Sequence, residues 1–251
     1  RFIRQEGFKQ FPYKSMHQFT IARSFSTNAF RLRHSSEWIH ALGKADITLH
    51  TQVNAPNNTI NFFGRGNESQ FIKGRDYVTY VRTRFNTYRL DPAVRWRGLK
   101  GASLSIGPSL YYYVYDPDDN HGRLIENSSK IGSYDSLTIQ DNKWHGGVQA
   151  YYVSDKRNNK IITQWGSFIS VRLLAYKGLN KVSNDYAQLI PEVAIYRSIN
   201  QRRTWILAER FGGTVTIGKT AFYQSALLGG HENLLGYRQY RFAGQHSFYT
   251  T

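Results

Sequence analysis

Residues 228–244 read LGGHENLLGYRQYRFAG, and this stretch decides how the rest of the chain is interpreted. Its glycines break it too often for a strand or a helix, yet it carries tyrosines, a phenylalanine and arginines that an ordinary surface loop does not need. The chain before it consists of short segments in which apolar and polar residues alternate. We therefore expect those segments to form a β-sheet wall, with this stretch as a loop inside or above the wall.

The composition bounds the class of protein. The 251 residues are enough for one all-β domain or for two smaller domains. The lack of cysteine excludes disulfides and thiolate metal sites. No run approaches about 18 apolar residues, so we expect no transmembrane helix. Residues 1–4 have no apolar core behind them, so no signal peptide is expected and the sequence is interpreted as a mature or internal fragment.

The charge is strongly basic, with 33 Lys and Arg against 17 Asp and Glu and a formal net charge of +16. Such a balance is typical of proteins that bind nucleic acid or anionic surfaces. Here, however, the arginines stand singly at alternate positions, as at Arg31 and Arg33 or Arg82 and Arg84. That spacing predicts one charged face of a sheet. Together with 18 Tyr, 15 Phe, 5 Trp and 21 Gly, it favours the strands of a membrane barrel, whose lipid-facing and lumen-facing residues alternate.

Period-two alternation is repeated four times in residues 1–53 and returns at 77–88 and around 104–114. A turn is predicted at 90–92, and Pro108 marks the following strand as one that tolerates an edge position. Four further strands are predicted at about 144–154, 161–176, 186–198 and 203–216. In total, roughly eleven strands and no confident helix precede the glycine-rich stretch.

The connections between these strands favour a barrel. Residues 54–75 and 116–143 are expected to be long loops, whereas Asp155–Asn159 and Ser198–Arg202 are short. Tight turns on one rim and open loops on the other are typical of membrane barrels. A soluble sandwich is the alternative, but its outer face would not need so regular a polar pattern.

Two apparent motifs do not predict catalysis. Gly213–Thr220 matches the phosphate-binding pattern G-x-x-x-x-G-K-T, but the alternation of strands and helices that such a site needs is missing, so we interpret it as a strand end with a glycine-rich exit. The eight histidines are scattered without metal-ligand spacing. We therefore expect no enzyme activity, no metal site and no cofactor.

The loop itself supplies the candidate functional residues. Its glycines predict unusual backbone angles or close approaches, and its aromatic side chains would be costly to leave exposed. We expect Gly236 to permit close backbone approach and Tyr237 to pack against the inner wall. Arg238 or Arg241 is expected to pair with a lumen carboxylate, where screening is weaker than at a surface. The candidate partners are Glu192 and Glu209; the loop residues are Gly229, Gly230, Leu234, Leu235, Gly236, Tyr237, Arg238, Arg241, Phe242 and Gly244.

These residues resemble the sixth extracellular loop of the BamA/TamA superfamily, the bacterial surface-antigen barrels. Residues 228–237 and 241–244 carry the resemblance, supported by GFKQFPY at 7–13, NFFGRGNE at 61–68 and residues 210–219. The barrels of Bacteroidota are the most similar. The family's loop follows its eleventh strand, as our strand count predicts.

The resemblance implies a transmembrane antiparallel barrel, sixteen-stranded when complete, of which this chain covers the first eleven to twelve strands. Residues 1–251 would then be a partial outer-membrane barrel domain, with 219–247 as its inward-folded loop. The family's motif has an arginine that locks the loop to an acidic residue, and here Leu235 stands in its place. Since the sequence ends at Thr251, where the twelfth strand should begin, we expect either a longer chain or closure by another polypeptide.

The resemblance also implies a function. Members of the superfamily fold other barrel proteins into the outer membrane, or translocate proteins or lipids. The expected partners are outer-membrane lipid, client outer-membrane proteins and further subunits of an outer-membrane complex, with no nucleic acid. Two alternatives stay open: a passive channel or structural barrel subunit of such a complex, and a soluble basic β protein that binds nucleic acid.

Overall fold

The computed structural model describes residues 2–7, 10–66, 76–99, 101–128 and 138–251. Eleven strands form one antiparallel sheet, which runs in chain order from β1 to β10 and ends with β13. Two short strands, β11 and β12, pair with each other in the connection before β13. The strands are β1 (Phe2–Gly7), β2 (Gln10–Arg23), β3 (Phe30–Leu42), β4 (Ala45–Asn61), β5 (Arg82–Arg97), β6 (Ala102–Tyr115), β7 (Lys143–Asp155), β8 (Gly166–Gly178), β9 (Tyr186–Ser198), β10 (Ile206–Gly218), β11 (Ala226–Leu228), β12 (Phe242–Gly244) and β13 (Ser247–Thr250).

The helices are short and lie in connections. They are α1 (Tyr77–Val81) and three 3-10 turns at Asp118–Asn120, Leu124–Asn127 and Phe222–Gln224. In the described ranges, no helix is long and apolar enough to cross a membrane. The same ranges contain no cluster of three or more His, Asp or Glu placed to hold a metal ion.

The sheet has two faces of different chemistry. On β5, Phe85, Thr87 and Asp91 are buried on one face, which we call the inner face, while Tyr88 and Leu90 are exposed on the other, the outer face. Because side chains alternate along a strand, the cross-strand register extends each face over the neighbouring strands. Exposed apolar residues of the outer face include Leu104, Ile106, Leu110, Val148, Ile169, Leu173, Leu189, Val215 and Ile217.

The three longest connections, 62–81, 116–142 and 219–246, leave the same end of the sheet. The opposite end carries shorter ones, such as 43–44 and 98–101. At the long-connection end, a cluster of buried aromatic and aliphatic side chains covers the inner face. It contains Phe62, Phe85, Tyr113, Tyr115, Ile125, Ile139 and Phe222.

Two predicted boundaries around β4 and β5 are wrong. β4 continues to Asn61, although a connection was predicted from residue 54. Its register with β5 shifts between Asn54 and Asn58, and this irregularity accommodates Pro56 before pairing resumes. Residues 77–81 are helical rather than extended, because the carboxylate of Asp76 caps the helix by accepting from the amide of Thr79 at 3.4 Å.

The predicted turn at 90–92 and the predicted edge position of the strand with Pro108 are also wrong. β5 runs through Pro92 without a break, and β6 is paired on both sides. Leu90 pairs with Leu110 and Val94 with Ile106, so the two prolines lie opposite each other. Because neither has an N–H to donate, the ladder tolerates both at one unpaired gap.

In the described ranges ten strands precede the connection at 219, where roughly eleven were predicted before the stretch at 228–244, and with β13 they form a sheet of eleven strands. The strands predicted at 144–154, 186–198 and 203–216 match β7, β9 and β10 closely. The strand predicted from 161 begins only at Gly166. Parts of the two supporting stretches at 7–13 and 61–68, namely 8–9 and 67–68, lie outside the described residues.

The secondary structure around residues 213–220 shows whether the phosphate-binding pattern forms a phosphate cradle. Residues 213–218 belong to β10, and a three-residue 3-10 turn at Phe222–Gln224 follows instead of a helix. A phosphate cradle needs the N-terminus of a helix directly after the glycine-rich turn. The interpretation as a strand end with a glycine-rich exit is confirmed.

Candidate functional site

The 219–246 connection, which contains most of the loop predicted at 219–247, begins with an aromatic anchor on the inner face. Phe222 is 2% exposed and packs edge-on against Phe62 and Phe85, with ring centroids 5.6 and 5.5 Å apart. Tyr223 stacks on Tyr113 at 4.2 Å with an interplanar angle of 10°. Burial also raises the pKa of the Tyr223 phenol well above its usual range, so the ring stays neutral.

A buried amide network continues this anchor. The side-chain Nε2 of Gln188 on β9 donates to the backbone oxygen of Gln224 at 2.6 Å and to Oγ1 of Thr216 at 3.1 Å. The side chains of Gln188, Thr216 and Gln224 are all buried. Leaving such a donor without a partner costs about 1–3 kcal/mol, so the network fixes where the connection leaves the sheet.

The middle of the connection is a compact hairpin closed by backbone contacts. β11 pairs with β12, and the side chain of Asn233 accepts from the amide of Gly229 at 2.9 Å and donates to the carbonyl of Leu227 at 3.0 Å. Gly229 has φ +121°, and a Cβ there would lie 2.3 Å from the carbonyl oxygen of Arg238. Glycine is therefore required at 229 both for its conformation and for the close approach.

Gly236 differs from Gly229, and the prediction of close backbone approach at this residue is wrong. Its φ is +87°, but a Cβ would meet no atom within 4 Å. The tip around it is open, since Leu235 is 70% and Tyr237 53% exposed. Tyr237 packs edge-on against Phe242 of the same connection at 5.2 Å, not against the inner wall as predicted.

The two arginines predicted to find carboxylates contact aromatic rings. The guanidinium of Arg238 lies 5.4 Å from the ring centroid of Tyr77, and that of Arg241 lies 5.2 Å from that of Phe63. Such cation–π contacts contribute about 0.5–2 kcal/mol each. Both rings belong to the β4–β5 connection, so the arginines tie one long connection to another.

Backbone contacts reinforce this junction. The amide of Gly66 donates to the carbonyl of Ala243 at 2.7 Å, and the side-chain amide of Asn61 donates to the carbonyl of Gln239 at 3.0 Å. Tyr240 sits beside them with φ +61°, and burial raises the pKa of its phenol, with a smaller effect from Glu232. Carbonyls, amides and aromatic rings thus all contribute to the junction between the two connections.

The carboxylate of Glu192 has a different partner from the predicted one. Arg210 on β10 holds it in a two-bond ion pair, with Nε–Oε1 and Nη2–Oε2 distances of 3.0 Å. The remaining Nη1 of Arg210 donates to the backbone oxygen of Glu232 in the connection at 2.5 Å. Arg210 therefore joins the wall to the connection, and the arginine comes from the wall rather than from the loop.

Glu209, the other predicted lumen partner, lies on the outer face of the sheet. It pairs with Ile195 on β9, in the row that contains the exposed apolar residues Leu207 and Phe211 of the outer face. Because Arg210 is the next residue, period-two alternation puts the two side chains on opposite faces. The prediction of Glu209 as an inner-face partner is wrong.

No family model matches the chain, and no curated protein sequence matches it either. Among solved structures, it is similar to BamA from Haemophilus ducreyi lacking POTRA domains 1–3, with a TM-score of 0.60 and 12% sequence identity. The fold is that of a BamA barrel. The match covers 90% of this chain and 43% of the BamA chain, so the chain spans less than half the length of that structure. The predicted fold class is confirmed at this level, as an all-β antiparallel sheet of the BamA barrel type.

Sequence reasoning missed several residues that join the connection to the wall. Arg210, Gln188 and the pair Phe222–Tyr223 were not predicted. The aromatic pair had a signal, because two large rings directly after the exit of a strand at Gly218 are unusual in a polar loop. No sequence signal indicates the ion pair of Arg210 with Glu192, since this pair depends on the register of β9 with β10.

Proposed function

We propose that the chain forms part of an outer-membrane β-barrel of the insertase/translocase superfamily, which assists the assembly of outer-membrane proteins or the translocation of protein or lipid. The observation that carries the proposal is the 219–246 connection, which anchors Phe222–Gln224 on the inner face of a BamA-type sheet and is tied to the wall again where Arg210 donates to Glu232. In this proposal the exposed apolar outer face contacts lipid, and the polar inner face lines the lumen.

The outer membrane is the proposed location, and the proposed partners follow from it. They are outer-membrane lipid, client barrel proteins and further subunits of an outer-membrane complex. The protein acts by shape rather than by catalysis: residues 222–224 hold one end of the connection, and Arg210 with the rings of Phe63 and Tyr77 holds the other. The connection acts as an internal brace that keeps the wall in the form clients require.

A glycine substitution tests this function. In the full-length protein, Gly229→Ala places a Cβ 2.3 Å from the carbonyl oxygen of Arg238 and so displaces the brace. We expect client barrel proteins to fall severalfold in the outer-membrane fraction, while the variant itself still migrates as a folded, heat-modifiable barrel. Gly43→Ala is the matched control, because Gly43 also has positive φ but lies in the β3–β4 turn with open space around it.

Unchanged client levels in a folded Gly229→Ala variant would favour the second candidate, a passive channel or structural barrel subunit. One observation supports a structural subunit: the packed rings of Phe222, Tyr223, Tyr113 and Phe85 fill this part of the inner face as a plug would. Planar-bilayer conductance of the purified full-length protein adds a second test. Steady conductance of the wild type would identify a passive channel, whereas a plugged structural subunit and a braced insertase both stay closed and are distinguished by the client levels.

A further inference from the structure

The inner face carries a recess that the brace does not explain. Its volume is about 480 Å³, within the range of small-molecule sites, and strands β3 to β8 supply its walls. Four arginines reach it from three strands: Arg33 from β3, Arg89 and Arg95 from β5, and Arg172 from β8. The recess is therefore a strongly cationic region of the wall.

Two of these arginines are neutralised by carboxylates. Nε of Arg89 lies 2.7 Å from Oδ2 of Asp91, and Nη2 of Arg95 lies 2.9 Å from Oδ2 of Asp46. Arg95 also contacts the carboxylate of Glu37. These side chains are held in place by their ion pairs and shape the recess, but they add little net charge to it.

The other two arginines, Arg33 and Arg172, have no such carboxylate partner among the described residues. Among the residues that the structure describes, no carboxylate lies within 4.0 Å of the guanidinium of Arg33 or of Arg172. The Arg172 guanidinium stacks over the ring of Tyr151, 5.1 Å from its centroid. Stacking leaves the edge of a guanidinium free to donate, so both arginines present unmatched donors and two unmatched positive charges.

The remaining lining is rich in neutral donors. Ser35, Ser103 and Ser105 line the recess together with the amide of Gln149. The hydroxyl of Ser35 is 3.0 Å from Nδ1 of His50, which also lines it. Hydroxyl and guanidinium donors that converge on a small volume are the groups that proteins use to hold an oxyanion.

We propose that this recess binds a phosphate group. A phosphomonoester carries about −1.5 to −2 charges near neutral pH, which matches the two unmatched arginines, whereas a single carboxylate would leave one of them unneutralised. Arg33 and Arg172 bind the phosphoryl oxygens from opposite sides of the recess, and the serine hydroxyls bind the remaining lone pairs. Free phosphate and the phosphorylated sugar of a lipid headgroup share this chemistry. The site goes beyond the proposed role in assembly and does not depend on it.

Calorimetry on the full-length protein in detergent tests the site. Inorganic phosphate and a sugar monophosphate are titrated separately into the wild type and into Arg33→Gln, Arg172→Gln and the double variant. We expect each single variant to bind at least about tenfold more weakly and the double variant to show no binding, because charged hydrogen bonds are lost. Arg197→Gln is the matched control, since Arg197 is an exposed residue of β9 outside the recess.

The outcomes are distinct. Equal affinity for the two ligands supports recognition of the phosphate group alone, and tighter binding of the sugar monophosphate supports a headgroup as its source. Failure of the wild-type protein to bind either ligand would overturn the proposal. So would a loss in Arg197→Gln equal to that in Arg172→Gln, because binding would then follow net charge only. Heat-modifiable migration of every variant confirms that the barrel is folded.

Discussion

Arg210 connects three parts of the molecule through one side chain. It pairs with Glu192 on β9, donates to the backbone of Glu232 in the 219–246 connection, and lies 5.4 Å from the ring centroid of Tyr249 on β13. Its planar group suits this use, because a guanidinium can satisfy a carboxylate with two parallel bonds and still donate elsewhere. A lysine has the charge but not this geometry.

The first prediction concerns this side chain. Arg210→Gln is expected to lower the free energy of unfolding by about 1 kcal/mol, and Arg210→Lys by less, because the pair is partly exposed and solvent weakens it. A double-mutant cycle with Glu192→Gln, measured by urea unfolding in detergent or lipid, should give a coupling energy of similar size. Additive effects would show that the two side chains do not interact, and Arg197→Gln serves as the control.

The second prediction separates two glycines of the same connection. Gly229→Ala must relieve a contact of 2.3 Å as well as a positive φ, whereas Gly236→Ala has only the positive φ to accommodate. We expect a loss of about 1 kcal/mol at Gly236 and clearly more at Gly229, since strained backbone costs about 1–3 kcal/mol before any clash. Urea midpoints of the two variants decide this. Equal losses would contradict the close approach at Gly229.

At the residue scale, the sequence predicts the backbone conformation of the loop glycines better than it predicts which groups the loop arginines contact. The glycines at 229, 230 and 236 do have φ between +87° and +121°, as their spacing in a loop suggested. The contacts of Arg238 and Arg241 were not predictable, because the rings of Tyr77 and Phe63 lie far away along the chain. Only the fold brings these groups together. The acids on β9 and β10 are nearer in sequence, so they were predicted as the partners of the two arginines instead.

Among the elements, the 3-10 turn Phe222–Gln224 is small but placed where the connection leaves the wall. Its two rings enter the buried aromatic cluster, and its last residue enters the amide network of Gln188. A turn of three residues has little stability of its own, so its position comes from these tertiary contacts. The element is therefore sensitive to a single large-to-small substitution.

The third prediction uses that sensitivity. Phe222→Ala removes a fully buried ring and should lower the free energy of unfolding by about 3–5 kcal/mol. Phe211→Ala, on the outer face of β10 with 37% exposure, should cost clearly less. Unfolding of both variants in one detergent gives the comparison. If the Phe211 variant is the less stable of the two, the cluster is not the anchor.

The elements themselves were predicted well where alternation is regular and poorly where a proline or a cap intervenes. β9 was predicted with its observed bounds, because residues 186–198 alternate without interruption. β4 was cut short at 54, since Pro56 and the asparagines around it are typical of a loop, and only pairing with β5 shows that the strand resumes. Residue propensities describe an isolated segment, whereas pairing with a neighbouring strand determines whether that segment is a strand in the fold.

For the whole molecule, the difference between the two faces explains the composition. The inner face takes up several of the arginines behind the net charge of +16: Arg89 pairs with Asp91 on the same strand, and Arg95 pairs with Asp46 on β4. The apolar residues that a soluble protein would bury are exposed on the outer face instead. Both distributions agree with a wall between lipid and a polar interior.

The fourth prediction tests this distribution of faces. Leu173→Arg, near the middle of β8 on the outer face, should destabilise the barrel in a bilayer by about 2–4 kcal/mol. Leu179→Arg, in the connection just beyond β8, should cost about 0–1 kcal/mol, because charges near the interface are tolerated. Urea unfolding in lipid vesicles measures both. Equal effects, or full solubility of the protein without detergent, would contradict a lipid-facing surface.

The facing prolines of β5 and β6 have a consequence for how the wall can move. From Leu90 to Val94 the two strands keep their order but lack ladder pairs, and Gly107 sits so close that a Cβ would lie 2.0 Å from the carbonyl oxygen of Pro92. Bending a sheet between two strands normally strains the hydrogen bonds that join them. Along this line few are present to strain, so the curvature of the wall can change there at small cost. The two prolines thus form a flexible line in an otherwise continuous ladder, and Gly107 lets β5 and β6 stay in contact along it.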